Sequence, residues 1–287
     1  MPPGSPDPAP AAGEVPVRPA ATLMPVRDGE RGLEVCLLRR NPNSTWVAGL
    51  ALFAGGGVDA RDEDPALTER CVLPAGGAPA GGLAPWIAAL RETYEEIGFL
   101  LATDPAGSWA HQDAARHARL AAQRTAIDAG TVTFAAVLAR EELQLRIDLM
   151  RFVAHWVTPP GQARRYDTRF YLAPAPPDSP ADPDGIEIVG AGWIRPTLAI
   201  AQQEAGELPM LPPTLGALHW LAAYATVSEA IAAADALGEI PRYAPGSIGD
   251  AAVHAAEIAD DPAAIASDPG HQAAGPDAPA DADPATP

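Results

Sequence analysis

A chain of 287 residues carrying 37 acidic and 19 basic side chains has a formal net charge of −18, a field that repels a nucleic-acid backbone and an anionic membrane surface, so neither is expected as a main partner. Every basic residue is arginine, which excludes a Schiff-base lysine and a phosphate-loop lysine. Cys36 and Cys71, the only cysteines, are far apart and form no C-x-x-C pair, so neither a disulfide scaffold nor a zinc site is expected.

Residues 1–18 are rich in Pro, Ala and Gly, and residues 246–287 have the same character with added Asp; both read as largely disordered tails. The ordered body is expected at 19–245, as one domain. The start of the chain has no basic stretch followed by an apolar run, so no signal peptide is read and a cytoplasmic location is the default. Residues 71–90 are free of charge, but their glycines and prolines argue against a membrane span.

Residues 20–26 and 33–39 read as strands joined by the turn Asp28-Gly29-Glu30-Arg31-Gly32. Phe53 leads into Ala54-Gly55-Gly56-Gly57-Val58-Asp59, a glycine turn where backbone can closely approach a ligand. Residues 60–85 show no clear period and read as an inserted loop, and 86–98 read as a helix. Residues 108–128 and 133–141, the latter capped by Thr133, form an expected helical insertion over 108–141. Strands follow at 150–157, 168–172 and 186–194. Helices follow at 196–204, with Pro at the start, and at 214–224 and 228–237. Strand pairs with dispersed helices imply an α/β (α+β) sandwich.

The helix at 86–98 carries the chemistry. Glu92, Glu95 and Glu96 stand at i, i+3 and i+4 and share one face, while Ile87, Leu90, Tyr94 and Ile97 fall on the opposite one. Gly98 is the natural stop. Like charges at this spacing destabilise an isolated helix, and a cation removes the penalty. Clustered oxygen ligands suit a hard ion such as Mg²⁺ or Mn²⁺ rather than zinc. A solvated acidic face reads from the same residues.

Arg91-Glu92-Thr93-Tyr94-Glu95-Glu96-Ile97-Gly98-Phe99 resembles the second half of the Nudix box, REUxEExGU with U apolar, except that Thr93 takes an apolar slot. Phe53–Asp59 resembles its first half, with Ala54 where proline is common. The box glutamate six residues after the second glycine is matched in position by Asp62, whereas eight residues before Arg91 stands Leu83. The box is thus split by about twenty residues, which coincide with the inserted loop at 60–85. A split box resembles the branch of the peroxisomal coenzyme A diphosphatases and their bacterial relatives. His155-Trp156-Val157-Thr158-Pro159, Arg165-Tyr166-Asp167-Thr168-Arg169-Phe170-Tyr171 and Leu211-Pro212-Pro213-Thr214 resemble further motifs of that branch.

The resemblance implies a Nudix α/β/α sandwich with a mixed sheet and a helical insertion after the box helix. It implies metal-dependent hydrolysis of a diphosphate linkage in a nucleoside diphosphate derivative, with coenzyme A or acyl-coenzyme A leading and ADP-ribose or nucleotide sugars as alternatives. A non-catalytic Nudix-fold binding module is the reading from a different class. Glu95 and Glu96 are the expected main Mg²⁺ or Mn²⁺ ligands, with the Gly55 carbonyl nearby. Glu92 is ligand or general base, and Arg91 orients a glutamate. Glu187, read on a late strand, and Asp62 are candidates for an additional ligand or base. Arg39, Arg165 and Arg169 are candidate phosphate contacts, and each reads equally as a surface residue. A homodimer is left open.

Overall fold

The computed structural model describes residues 15–45 and 47–267. Apolar residues alternating at a period of two build its central sheet. Strand β1 (Val17–Gly29) turns back into β2 (Gly32–Arg40), and short β3 (Ala51–Leu52) and β4 (Ala54–Gly57) follow. A 3₁₀ turn (Ala60–Glu63), α1 (Pro65–Thr68) and β5 (Cys71–Val72) then lead to the acidic helix α2 (Ala84–Ile97). Next come β6 (Ala102–Thr103), three short helices, α3 (Ala114–Ala121), α4 (Arg124–Asp128) and α5 (Phe134–Arg140), and β7 (Gln144–Arg146). The long pair β8 (Arg151–Val157) and β9 (Arg165–Pro174) precedes β10 (Ile188–Ile194). Helices α6 (Pro196–Glu204), α7 (Pro212–Ala222), α8 (Val227–Ala236) and α9 (Ile248–Asp260) follow, and a 3₁₀ turn (Pro262–Ala266) comes after them.

The main sheet runs β10-β2-β1-β9-β8, with β3 on β2 and β4 on β1. It is mixed: β1 and β9 are parallel and the other pairs antiparallel. Ala21, Leu23, Cys36, Leu38 and Tyr171 face one side, against α2 and the α3–α5 insertion. Their neighbours Met24, Val35, Leu37, Phe170 and Leu172 face the other, against α7, α8 and α9. The result is an α/β/α sandwich. No helix among the described residues is long and apolar enough to cross a membrane.

Three expectations change. Residues 60–85 are not featureless, because Leu67 and Leu83 are buried and β5 pairs with β7 in a second small sheet. Strand β1 starts at Val17, inside the stretch read as an N-terminal tail; residues 1–14 lie outside the described residues. The C-terminal reading changes most. Within 246–287, Ser247 caps α9 through the Asp250 amide, and Ala251, His254, Ala255 and Ile258 bury one face of that helix. Residues 268–287 lie outside the described residues. Tyr243 sets the approach to α9 by bridging to β8: Val157 N donates to Tyr243 O at 2.8 Å and Tyr243 N to His155 O at 2.9 Å.

Candidate active site

Helix α2 stops at Gly98, which takes a left-handed φ of 70° and donates its N–H to Tyr94 O. Trp86 packs on Tyr171 of the sheet, Tyr94 packs on Phe134 and Leu120 of the insertion, and Ile87, Leu90 and Ile97 are buried with them, which holds the helix beneath β4. Glu92 and Glu96 therefore meet the glycine turn. Gly55 N donates to Glu96 Oε2 at 3.0 Å. Gly56 has no room for a side chain, since a Cβ there would stand 2.5 Å from the Glu92 carboxylate. Gly56→Ala is expected to push that carboxylate aside and cost on the order of 10²-fold in kcat with an unchanged far-UV circular dichroism spectrum; wild-type kcat in the variant would show that the close fit is dispensable.

One guanidinium ties the acids together. Arg91, 3% exposed, donates from Nη1 to Glu92 Oε1 at 2.8 Å and to Glu95 Oε2 at 3.3 Å. Its Nη2 donates to Gly57 O at 2.9 Å. Asp62 holds the rest of it: Arg91 Nε and Nη2 reach the two Asp62 oxygens at 2.8 and 3.0 Å. Asp62 Oδ2 also accepts from Asp59 N at 2.8 Å, closing a capping box on the 3₁₀ turn. With both oxygens engaged and the side chain buried, Asp62 faces Arg91 rather than the glycine turn. The candidate ligand or base is thus placed as the anchor of Arg91.

Burial pushes the carboxyls of this face up. Glu95 is raised to about 7, chiefly by desolvation and only partly offset by Arg91. Glu96 is raised well above its ordinary value by burial and by Glu92, against the opposing Gly55 amide. Glu92 is raised by burial, with Arg91 opposing.

Glu92 and Glu95 share one arginine that is already paired with Asp62, and Glu96 accepts only from the Gly55 amide, so the cluster lacks positive charge. Glu95 Oε1 is buried with no hydrogen-bond donor. A carboxylate oxygen without a donor costs free energy that a divalent ion would recover. Among the described residues no three His, Cys, Asp or Glu side chains already stand as a ready set of metal ligands. A hard cation fits the donor chemistry and the charge deficit.

Glu187 approaches the same region from outside the box, but from the turn before β10 rather than from the strand itself. The cause is Asp184, whose Oδ1 accepts from the amides of Ile186, Glu187 and Ile188 at 2.8, 3.0 and 3.0 Å. Asp184 N and Asp182 N in turn donate to the last carbonyls of α2, Glu96 O and Ile97 O. Neither aspartate was singled out from the sequence. Asp184-Gly185 as a turn signal before a strand was the clue available. Glu187 pairs with Arg40.

Glu92, Glu187 and the glycine turn open onto a cavity of about 590 Å³, with Glu95, Glu96 and Arg91 buried behind them. One end holds Gly55–Gly57, Glu92, Glu187 and Arg40, and Arg164 lines it further along. Much of the remaining lining is apolar, including Trp156, Phe170, Leu211, Ile248 and Ala251. The expected phosphate contacts stand elsewhere. Along β9 successive side chains alternate, so Tyr166, Thr168 and Phe170 face the cavity while Arg165, Asp167 and Arg169 face the other side of the sheet. Arg39 likewise points away from its cavity-lining neighbour Arg40 on β2.

On that other side, Asp167 joins His155 to Arg242, whose Nε donates to Asp167 Oδ2 at 2.7 Å. Burial pushes the Asp167 carboxyl up, but the bonds from His155 and Arg242 outweigh it and hold it at about 2, below the ordinary 3.8. A depressed carboxyl stabilises the fold above its unfolded-state value, and that contribution is lost as pH falls towards 2. Asp167→Asn is therefore expected to lower unfolding free energy by about 2 kcal/mol at pH 7. Urea titrations at both pH values should show the gap from wild type closing near pH 2; a gap independent of pH contradicts the assignment.

The comparisons with known proteins agree with this geometry. The model of the NUDT19 Nudix domain matches residues 72–221, more than half of the chain. The chain is 27% identical over 251 residues to the acyl-coenzyme A diphosphatase NUDT19 of Homo sapiens, covering 74% of this chain and 67% of that one. It is 28% identical over 240 residues to the protein of the same name from Gallus gallus, covering 68% of this chain and 63% of that one. The chain thus spans about two thirds of the length of these relatives. The crystal structure of a NUDIX hydrolase from Alicyclobacillus acidocaldarius superposes with a TM-score of 0.64 at 30% identity, over 76% of this chain and 96% of that one. The chain belongs to the NUDT19 Nudix domain family, and with it to the hydrolases that act on diphosphate bonds.

Proposed function

We propose that this hydrolase is a Mg²⁺- or Mn²⁺-dependent diphosphatase of coenzyme A or acyl-coenzyme A, releasing phosphopantetheine (or its acyl derivative) and adenosine 3′,5′-bisphosphate. The observation that carries the proposal is one cavity lined both by acidic and glycine residues and by a large apolar surface. A diphosphate linking a nucleotide to a long, weakly polar arm needs both kinds of surface. The two relatives named as acyl-coenzyme A diphosphatases support the choice of substrate.

In this reading Glu95, Glu96 and the Gly55 carbonyl hold the metal. The bound ion would supply charge neutralisation at the phosphoryl oxygens and lower the pKa of a bound water. Glu92, which faces the cavity and is oriented by Arg91, takes the proton from the attacking water. The water oxygen bonds to phosphorus, the anhydride P–O bond breaks, and the leaving phosphate carries away the electron pair. Arg40 and Arg164 offset the remaining phosphate charge against the net −18 of the chain.

The test is turnover by the purified chain with Mg²⁺, Mn²⁺ or EDTA, over free coenzyme A, acyl-coenzyme A, ADP-ribose and UDP-glucose, with products weighed by mass spectrometry. Metal-dependent release of adenosine 3′,5′-bisphosphate is expected. Turnover of ADP-ribose or UDP-glucose alone overturns the substrate assignment. Binding without any turnover replaces the enzyme with a ligand-binding module.

A further inference from the structure

Arg40 and Glu187 pair at the acidic end of the cavity, and both side chains line it. We propose that this pair is a latch exchanged by substrate: before binding, Arg40 neutralises Glu187, and an incoming diphosphate takes the guanidinium and leaves the Glu187 carboxylate free beside Glu92. The proposal rests on the diphosphatase reading above.

The backbone on both sides is fixed, so only side chains move. Asn41 N donates to Glu187 O at 2.9 Å, and Asn41 Nδ2 donates to Ile186 O at 2.8 Å. Arg40 N donates to Leu50 O at 3.0 Å. The Asp184 carboxylate holds three consecutive amides around Glu187, and the Asp184 amide is bonded to the end of α2. The register of β2, the turn and the box helix is thereby locked, and the two side chains stand opposite each other by construction.

The pair itself is weakly held. The Glu187 side chain is 46% exposed, and ion pairs of that kind are readily given up. The Arg40 guanidinium is also incompletely satisfied, because its buried Nε has no acceptor. Phosphate oxygens match the planar donor fork of arginine better than one carboxylate oxygen does, and a diphosphate brings more charge. Glu187 lies close enough to Glu92 and Glu96 to act on both, so its release changes the negative charge available where the metal is expected. Exchange at Arg40 thus couples arrival of the anion to completion of the acidic cluster.

A double-mutant cycle read by calorimetry tests this, with ADP as probe and EDTA present so that no metal contributes. Four proteins are compared: wild type, Glu187→Gln, Arg40→Gln and the double variant, each checked for folding by circular dichroism. The latch predicts that Glu187→Gln binds ADP roughly three- to tenfold more tightly than wild type, and that the gain vanishes in the Arg40→Gln background. An equal gain in both backgrounds means that Glu187 acts only through its field, and it overturns the latch. No gain in either background overturns it as well. The diphosphatase reading fails separately, on absence of wild-type turnover with metal. Turnover without coupling between the two residues removes the latch alone.

Discussion

Glu96→Gln is expected to lower kcat roughly 10³-fold or more while leaving the thermal midpoint close to that of wild type. The second half of that statement follows from the surroundings of the side chain. Glu96 is buried, its carboxyl is pushed well up, and one oxygen accepts from Gly55 N. Glutamine keeps an oxygen acceptor for that amide and has the shape of the protonated acid. It removes the anionic donor, which a divalent ion requires. Activity and differential scanning calorimetry on the same preparation check both halves. Near wild-type kcat in this variant would remove Glu96 from the proposed ligand set. A large fall in thermal midpoint would mean that the carboxylate has a structural role instead.

Asp62→Ala is expected to act through Arg91, on stability and activity together. Removing Asp62 leaves a 3%-exposed guanidinium without its main partner, and breaking a buried pair in this way costs roughly 3–5 kcal/mol. For a domain of this size that is a fall of roughly 10 °C in thermal midpoint. Arg91 would also lose the support that aims it at Glu92 and Glu95, so kcat should fall on the order of 10- to 100-fold, as seen when an orienting partner is lost. If Asp62 were a metal ligand or the base, its loss would instead abolish turnover and leave stability nearly unchanged. Thermal melts and kcat measured side by side distinguish the two roles.

How much of this was legible in the sequence depended on the range of the signal. Period and caps are local, so α2 with its Gly98 stop, α5 behind Thr133 and α6 opening on Pro196 could be read directly. The pairing of box halves was readable through its motifs despite the interruption. Which face of β9 meets the cavity was not. Alternation along Arg165–Tyr171 says that Arg165, Asp167 and Arg169 share a side, but the choice of side is made by α7 and α9 packing on Phe170 and Leu172. The role of Asp62 was hidden because its partner Arg91 is 29 residues away and meets it only once the intervening segment has folded. The position of Glu187 depends on a carboxylate three residues earlier that captures the backbone before the strand begins. The last helix had a usable signal, Ser247 as cap followed by Ala251, Ala255 and Ile258 at helical spacing. Alanine-rich composition continuous with the end of the chain masked it.

That last helix also sets when the enzyme becomes complete. The box carboxylates Glu92, Glu95 and Glu96, the glycine turn and Arg91 all lie before residue 100, yet Pro245, Ile248 and Ala251 form part of the cavity wall. On a ribosome the acidic half of the site emerges more than a hundred residues ahead of the surface that closes it. A chain interrupted near residue 245 would hold every group proposed for cleavage in a trough more open to water, with Trp156 stripped of its contact with His254. Premature termination, proteolytic clipping between Tyr243 and Ile248, or a fusion partner that strains α9 would therefore register first as lost substrate selection and exposed apolar surface. The box itself would remain folded.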